Sequence, residues 1–289
     1  MKQTKAKQIR QVVILINQHK AEAYSLSASM QQILHKKGIE SQVIAIANKE
    51  EPLVFPHPVD AAICLGGDGT VLSAVRLIYP AIIPTLAVNI GSFGFITEVC
   101  KNEWLEAFEL FEQGKASISE RSLVQVEVKR ASKQVFLAQG LNEVTISASG
   151  ISNMIWLDLY IDQTDAGKIR SDGIIVATPT GSTAYSLAAG GPILDVNLDA
   201  LIINPVCPFT LSNRPLVVGG ESKIVISVRP DQRTRISLTV DGQIFFPLNE
   251  GDEIAISQAP VKAHLITSPQ RNYYEVLRDK LKWSGGMHA

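Results

Sequence analysis

The stretch Gly66-Gly67-Asp68-Gly69-Thr70 decides the fold, because it follows an apolar run at residues 61–65 and precedes a helix-like segment at residues 71–78. This order of strand, glycine turn and helix is typical of an α/β unit. Three glycines let the backbone approach a ligand closely, and the helix start offers unpaired N–H groups and a positive dipole end that suit phosphate. The residues predicted to bind phosphate are Gly66, Gly67, Gly69 and Thr70.

Asp68 requires its own explanation, because a carboxylate next to a phosphate is electrostatically unfavourable unless the carboxylate has a specific function. It can hold Mg²⁺ or take a proton from an attacking hydroxyl. The alternative is that Asp68 only shapes the turn through a local backbone hydrogen bond. The turn by itself leaves both interpretations open.

Bulk composition indicates an ordered globular protein. The 289 residues are 46% hydrophobic and 19% charged, which fits a folded chain long enough for two domains. A formal net charge of −1 gives no overall attraction to nucleic acid or to an anionic membrane. Apolar runs fall far short of the ~20 residues of a membrane span. Cys64, Cys100 and Cys207 lie too far apart for a zinc or redox motif. We expect a cytoplasmic protein with reduced thiols and with neither nucleic-acid nor membrane partners.

The chain changes its pattern about two fifths of the way along. The first ~115 residues alternate strands and helices, which predicts an α/β N-terminal domain with a parallel sheet. From about residue 123 many short β-rich runs follow, which predicts a β-sandwich-like C-terminal domain with one helix at residues 183–189. A last helix, at residues 272–283, is expected to pack back on the first domain. The predicted domains are residues 1–118, with 268–289 returning to them, and a β-rich domain at 119–267.

Two further polar stretches suit a nucleotide. Arg170-Ser171-Asp172-Gly173 precedes an apolar run that ends in Thr178-Pro179-Thr180-Gly181-Ser182-Thr183-Ala184-Tyr185. Its small and hydroxyl-bearing residues leave room for a flat ring, Tyr185 offers a stacking surface, and Ser182 or Thr183 would cap the helix behind. The alternative is an ordinary capped helix that packs tightly through small residues.

Asn142-Glu143 precedes an alternating strand and offers a donor, an acceptor and a carboxylate to sugar hydroxyls. Polar pairs are common at strand starts, so this dipeptide is not decisive alone. Val240-Asp241-Gly242-Gln243 reads as a type I′ hairpin turn. Neither the Walker lysine motif nor GxGxxG occurs, which disfavours P-loop enzymes and Rossmann dehydrogenases.

Together and in this order, these stretches resemble the NAD kinases of the bacterial type. The GGDG turn alone is shared with diacylglycerol kinase, sphingosine kinase and phosphofructokinase relatives, but its combination with NE and PTGSTAY is specific. The matching segments are LGGDGTVL at 65–72, NIGSFGFI at 89–96, LNEV at 141–144, RSDGIIVATPTGSTAYSL at 170–187, residues 204–218 and VDGQ at 240–243.

The resemblance implies an enzyme that phosphorylates the adenosine-ribose 2′-hydroxyl of NAD, with ATP or polyphosphate as donor and Mg²⁺ or another divalent metal. It implies a homodimer or homotetramer, a site between the two domains, and Asp68 as the catalytic base or as a metal partner through Mg²⁺. Asp172 is expected to reach the site of a neighbouring subunit. The implied NAD-binding residues are Gly69, Phe95, Asn142, Glu143, Arg170, Asp172, Thr180, Thr183, Ala184, Tyr185 and Gln243.

One position departs from the family pattern. Phe209 stands where many members carry histidine, so a role of that histidine does not carry over. Two alternatives stay open at this point. A lipid kinase of the diacylglycerol kinase type would explain the GGDG turn but not Asn142-Glu143, and a non-catalytic NAD(P)-sensing module would keep the pocket without needing Asp68.

Overall fold

The computed structural model describes residues 2–3, 8–46, 52–91, 94–149, 154–210, 212–230, 232 and 234–282. The chain divides into two units: Met1–Glu120 with Ala263–Ala289, and Arg121–Lys262. Among the described residues, no helix has both the length and the hydropathy that crossing a membrane requires.

The first segment alternates strands and helices, as the pattern predicts. Its helices are α1 (Ala21–Lys36), α2 (Asp68–Ile78) and α3 (Trp104–Glu112). Its strands are β1 (Lys2–Gln3), β2 (Gln11–Asn17), β3 (Glu40–Ile46), β4 (Ala61–Gly66), β5 (Thr85–Asn89), β6 (Val99–Cys100) and β7 (Ser117–Arg121).

The second unit is built almost entirely of strands. One 3-10 turn, Gly181–Thr183, and one short helix, α4 (Tyr185–Ala188), interrupt them. The strands are β8 (Val124–Arg130), β9 (Lys133–Gly140), β10 (Glu143–Ser149), β11 (Ile155–Ile161), β12 (Thr164–Ser171), β13 (Gly173–Ala177), β14 (Ala200–Val206), β15 (Leu216–Gly219), β16 (Ile224–Val228), β17 (Arg235–Val240), β18 (Ile244–Leu248) and β19 (Glu253–Gln258).

The chain then returns to the first unit through β20 (Ala263–Ile266) and α5 (Tyr273–Leu281). The sequence pattern placed the strand at residues 264–266 in the β-rich domain. The structure corrects this, because β20 pairs in parallel with β5. A three-residue apolar run does not reveal which sheet it joins, since that depends on its pairing partner. Trp283, at the end of the predicted last helix, lies outside the described residues.

The first sheet has the order β1-β7-β20-β5-β4-β2-β3, with β6 beside β5. Its central strands β2, β4 and β5 run parallel and are almost wholly buried. Parallel strands covered on both faces show continuous apolar runs, as β4 does. Helix α1 covers one face through Ala23, Ser27, Met30 and Leu34, which recur at helical spacing.

The second unit is a β-sandwich-like pair of six-stranded antiparallel sheets. Their orders are β15-β14-β13-β10-β17-β18 and β12-β11-β16-β19-β8-β9. Alternate residues of both sheets form one core, as Val124, Val126 and Val128 of β8 illustrate. The predicted fold class is therefore confirmed for both parts of the chain. Six of the described strands were not predicted: β1 and β6 have only two residues each, and β7, β12, β14 and β18 each contain polar residues, a glycine or a proline that weakens the alternating pattern.

Candidate active site

Asp68 is the first residue of α2, and its carboxylate accepts hydrogen bonds from a loop almost thirty residues further on. Oδ2 accepts from the N–H of Phe95 at 2.7 Å. Oδ1 accepts from the N–H of Ile96 at 3.2 Å and from the N–H and hydroxyl of Thr97, both at 3.0 Å. A purely local turn hydrogen bond, the alternative left open above, is not what the structure shows. With three donors on Oδ1 and one on Oδ2, Oδ2 is the oxygen that retains room for a further partner.

The loop that contains Gly94 and Thr97 approaches Asp68 closely and is also hydrogen-bonded to Asn89. A Cβ built on Gly94 would collide with the Asp68 carboxylate, so the approach requires glycine. Asn89 ends β5, donates from Nδ2 to the Thr97 hydroxyl at 3.0 Å and accepts from the N–H of Gly91 at 2.6 Å. Of the predicted NIGSFGFI motif, Ser92 and Phe93 lie outside the described residues.

A second aspartate clamps a second loop, in the other unit. The turn at residues 240–243 has positive φ at Asp241 (52°) and at Gly242 (62°), and the N–H of Gln243 donates to the carbonyl of Val240. These values confirm the predicted type I′ turn. Sequence reasoning missed that Asp241 also accepts from the backbone N–H groups of Leu141, Asn142 and Glu143 at 2.9, 2.8 and 3.1 Å. An aspartate at a left-handed turn position is the one signal that could have suggested this role.

Asn142 and Glu143 are buried, with 8% and 6% exposure, and each keeps one acceptor atom without a partner in the described structure. These atoms are Asn142 Oδ1 and Glu143 Oε2. Burial raises the pKa of Glu143 to about 8, the charge of Asp241 acts in the same direction, and a hydrogen bond from the N–H of Tyr185 opposes them. Two orphaned buried acceptors are costly in a folded protein unless a ligand supplies donors.

The hydroxyl-rich loop packs directly on this pair. The N–H of Thr178 donates to the carbonyl of Asn142 at 2.8 Å, and its hydroxyl donates to the carbonyl of Leu141 at 2.6 Å. A Cβ built on Gly181 would collide with the Asn142 carbonyl, so only glycine allows this approach. The loop therefore lies next to Asn142 and Glu143, as the site prediction requires.

The predicted helix at residues 183–189 is shorter and is not capped as expected. The chain makes a 3-10 turn, breaks at Ala184 (φ −101°, ψ −129°) and then forms the single turn α4. The Ser182 hydroxyl donates to the carbonyl of Pro179 at 2.6 Å and accepts from the N–H of Leu194 at 3.0 Å, so it ties the loop down instead of capping. The Thr183 hydroxyl donates to the carbonyl of Thr180 at 3.2 Å.

Tyr185 combines two properties at the end of this loop. Its backbone N–H donates a hydrogen bond to the Glu143 carboxyl group. The residue is 47% exposed, so its ring is available for stacking. Thr180 is buried, whereas Thr183 and Ala184 are partly exposed. Gln243 is exposed and follows the Asp241 turn.

Arg170 and Asp172 lie at the opposite end of β13 from this group. Asp172 precedes the strand and Thr178 follows it, and six residues at ~3.3 Å each separate their Cα atoms by about 20 Å. The Arg170 guanidinium lies between two aromatic rings, 4.3 Å from the centroid of Phe209 and 5.0 Å from that of Trp156. One chain does not bring these two residues together with Glu143, so their part in NAD binding stays a prediction.

The described residues offer a metal ion few protein ligands at this site. Among the described residues, no group of three His, Cys, Asp or Glu side chains converges as an all-protein metal site. Asp68 supplies one carboxylate at a phosphate-type turn, which is the donor set expected when Mg²⁺ arrives with its nucleotide and keeps waters. The residues present fit a substrate-borne Mg²⁺.

Comparisons with known proteins agree along the chain. The ATP-NAD kinase N-terminal domain matches residues 13–116, and the ATP-NAD kinase C-terminal domain matches residues 141–268. An NAD kinase of Treponema denticola is 38% identical over 277 residues, which cover 96% of this chain and 98% of that relative. An NAD kinase of Geotalea daltonii is 41% identical over 229 residues, which cover 79% and 80%.

Two solved structures are similar in fold. Yeast NADH kinase complexed with NADH has a TM-score of 0.84 and 25% identity, covering 96% of this chain and 89% of that one. An NAD kinase from Archaeoglobus fulgidus in complex with ATP has a TM-score of 0.74 over 94% and 98% of the two chains, and its 22% identity supports the fold alone. With both domain models matched in order and relatives above 30% identity over most of its length, the chain belongs to the NAD kinase family.

Proposed function

We propose that this protein transfers the terminal phosphoryl group of ATP to the 2′-hydroxyl of the adenosine ribose of NAD, giving NADP and ADP. The observation that carries the proposal is the pair of buried, unpartnered acceptors, Asn142 Oδ1 and Glu143 Oε2. The amino group of adenine and the ribose hydroxyls are donors of the kind that would satisfy them. Family membership favours this reaction over the lipid kinase and the non-catalytic sensor.

Asp68 is proposed as the group that receives the proton. The bond from the terminal phosphorus to the ADP oxygen breaks, a bond to O2′ forms, and the hydroxyl proton passes to Oδ2, the carboxylate oxygen with room for it. Asp68 performs this from a fixed position, because four hydrogen bonds hold its carboxylate. Alignment and neutralisation of charge contribute most in phosphoryl transfer.

The glycine turn is proposed to hold the donor phosphates. Gly67 and Gly69 flank Asp68 at the start of α2, where the positive end of the helix dipole favours anions. The alternative role of Asp68, as a partner of Mg²⁺, would place an ion that neutralises the phosphate oxygens there.

We further propose that the protein acts as a homo-oligomer in which Asp172 and Arg170 serve the site of a neighbouring subunit. The distance of about 20 Å between Asp172 and Thr178 along β13 supports this arrangement. The exposed rings of Trp156 and Phe209 beside Arg170 are of the kind that subunits cover. Three free cysteines support a reducing, cytoplasmic location.

The test is direct. Purified protein is incubated with NAD, ATP and Mg²⁺, and NADP is measured with an NADP-specific dehydrogenase. The matched control is NAD with a 2′-deoxyadenosine moiety, which lacks the accepting hydroxyl and should give no product. Absence of NADP with ATP and with polyphosphate, under both Mg²⁺ and Mn²⁺, would overturn the proposal.

A further inference from the structure

Lys20 lies at the same sheet edge as the glycine turn. The parallel strands β2, β4 and β5 end at Asn17, Gly66 and Asn89, so the residues after them share the carboxyl edge of the sheet. Lys20 follows β2 and immediately precedes α1. Its ammonium reaches across to the loop after β5, since a Cβ built on Gly91 would lie only 3.2 Å from Nζ.

The neighbourhood of Lys20 is connected to Asp68 by hydrogen bonds. Gly91 donates to Asn89, Asn89 donates to the hydroxyl of Thr97, and that hydroxyl donates to the Asp68 carboxylate. The turn that carries Lys20 is tied to the glycine turn as well, because Asn17 Nδ2 lies 3.3 Å from the hydroxyl of Thr70. Lys20 is thus placed by the same framework as the residues proposed to react.

Charge pairing distinguishes Lys20 from Lys37 and Lys101 of this unit. Lys37 is paired with Glu109 and Glu112, and Lys101 with Glu22. In the part of the chain that the structure describes, the half-buried side chain of Lys20 has no ion pair and no hydrogen bond. A cavity of about 360 Å³ adjoins the same loop and is lined by Glu22, Asn89, Gly91 and Lys101, among others. The Lys20 ammonium therefore reaches this polar edge without an ion pair, since the nearby Glu22 carboxylate is paired with Lys101.

We infer that Lys20 binds the phosphate chain of the phosphoryl donor and so supplies the cation that the absent Walker lysine would provide. This inference rests on the proposed function for the identity of the donor. ATP and polyphosphate share the chemistry that Lys20 recognises, an oxyanion chain that accepts three ammonium donors. Lys20 is a donor-binding residue and takes no part in holding NAD.

The test is Lys20→Gln, with Lys36→Gln as matched control. Lys36 is exposed at the far end of α1, about 24 Å away along the 16-residue helix. We expect Lys20→Gln to raise the KM for ATP about ten- to a hundredfold, as loss of a charged hydrogen bond does, and to leave the KM for NAD within twofold. Lys20→Arg should recover most of the loss and Lys36→Gln should match wild type. A KM for ATP within twofold of wild type in folded Lys20→Gln would overturn the inference.

A binding measurement separates this inference from the proposed reaction. Calorimetric titration with inorganic tripolyphosphate and Mg²⁺, and separately with ATP, needs no turnover. Weaker binding of both by Lys20→Gln supports the inference even if wild type makes no NADP, an outcome that refutes only the proposed function. Weaker binding of one donor assigns Lys20 to that donor, and unchanged binding of both refutes the inference.

Discussion

Asp68→Asn separates two tasks of one carboxylate: the clamp on the loop at residues 95–97, which the structure shows, and the proton transfer, which we propose. Three donors meet Oδ1, so the amide oxygen is expected there and its NH₂ group faces the N–H of Phe95. Two donors, the amide NH₂ and the Phe95 N–H, would then face each other in place of the 2.7 Å hydrogen bond from Phe95 to Oδ2. Losing this bond at a half-buried site costs about 2 kcal/mol, or roughly thirtyfold in loop placement.

Loss of a general base costs a further 10²–10⁴-fold. We therefore expect kcat to fall by at least about 10³-fold, with the Kd for NAD changed only a few fold. The control is Thr97→Val, which removes one of the four donors and leaves the carboxylate intact. It should cost about 1 kcal/mol in the clamp, or roughly fivefold in kcat. Both variants are assayed for NADP formation and, by titration, for NAD binding.

The size of the fall in kcat and the accompanying change in NAD binding distinguish the possible roles of Asp68. A fall in kcat of thirtyfold or less in Asp68→Asn would refute the role in proton transfer and reduce Asp68 to a clamp. A loss of NAD binding as large as the loss of kcat would instead place Asp68 in substrate positioning.

Three further predictions follow from the second unit. The Glu143 pKa of about 8 lies above its ordinary value of 4.5, so its contribution to stability is present below pH 4.5 and is lost as pH rises to 8. In the absence of NAD, the free energy of unfolding of Glu143→Gln should rise relative to that of wild type by on the order of 3–5 kcal/mol as the pH increases from 5 to 9. Urea unfolding measures both values, and a difference that does not change with pH would contradict a buried neutral Glu143. Asn142→Ala and Tyr185→Ala should raise the KM for NAD more than that for ATP; the reverse order in steady-state kinetics would mean that the pocket holds the other nucleotide. Mixed Asp172→Ala and Asp68→Asn subunits should regain part of the activity if sites are shared, and no recovery despite proven subunit exchange would count against sharing.

Much of the fold is readable from short-range patterns. The strand, glycine turn and helix around Asp68 and the type I′ turn at Asp241 follow from residues within a few positions of one another. Backbone preference and hydrophobic periodicity act over such distances. The strands that escaped prediction either have only two residues or contain polar residues, glycine or proline that interrupt that periodicity.

The sequence by itself also predicts which residue types meet a nucleotide, since GGDG, NE and PTGSTAY occur in order. Only the tertiary structure decided what their atoms do. The Asp68 carboxylate holds N–H groups 27 to 29 residues away, and Asp241 holds N–H groups about 100 residues away. The raised pKa of Glu143 and the separation of Asp172 from Thr178 likewise depend on which strands pair. Such contacts close long loops and burial arises only after they form, so no local pattern encodes them.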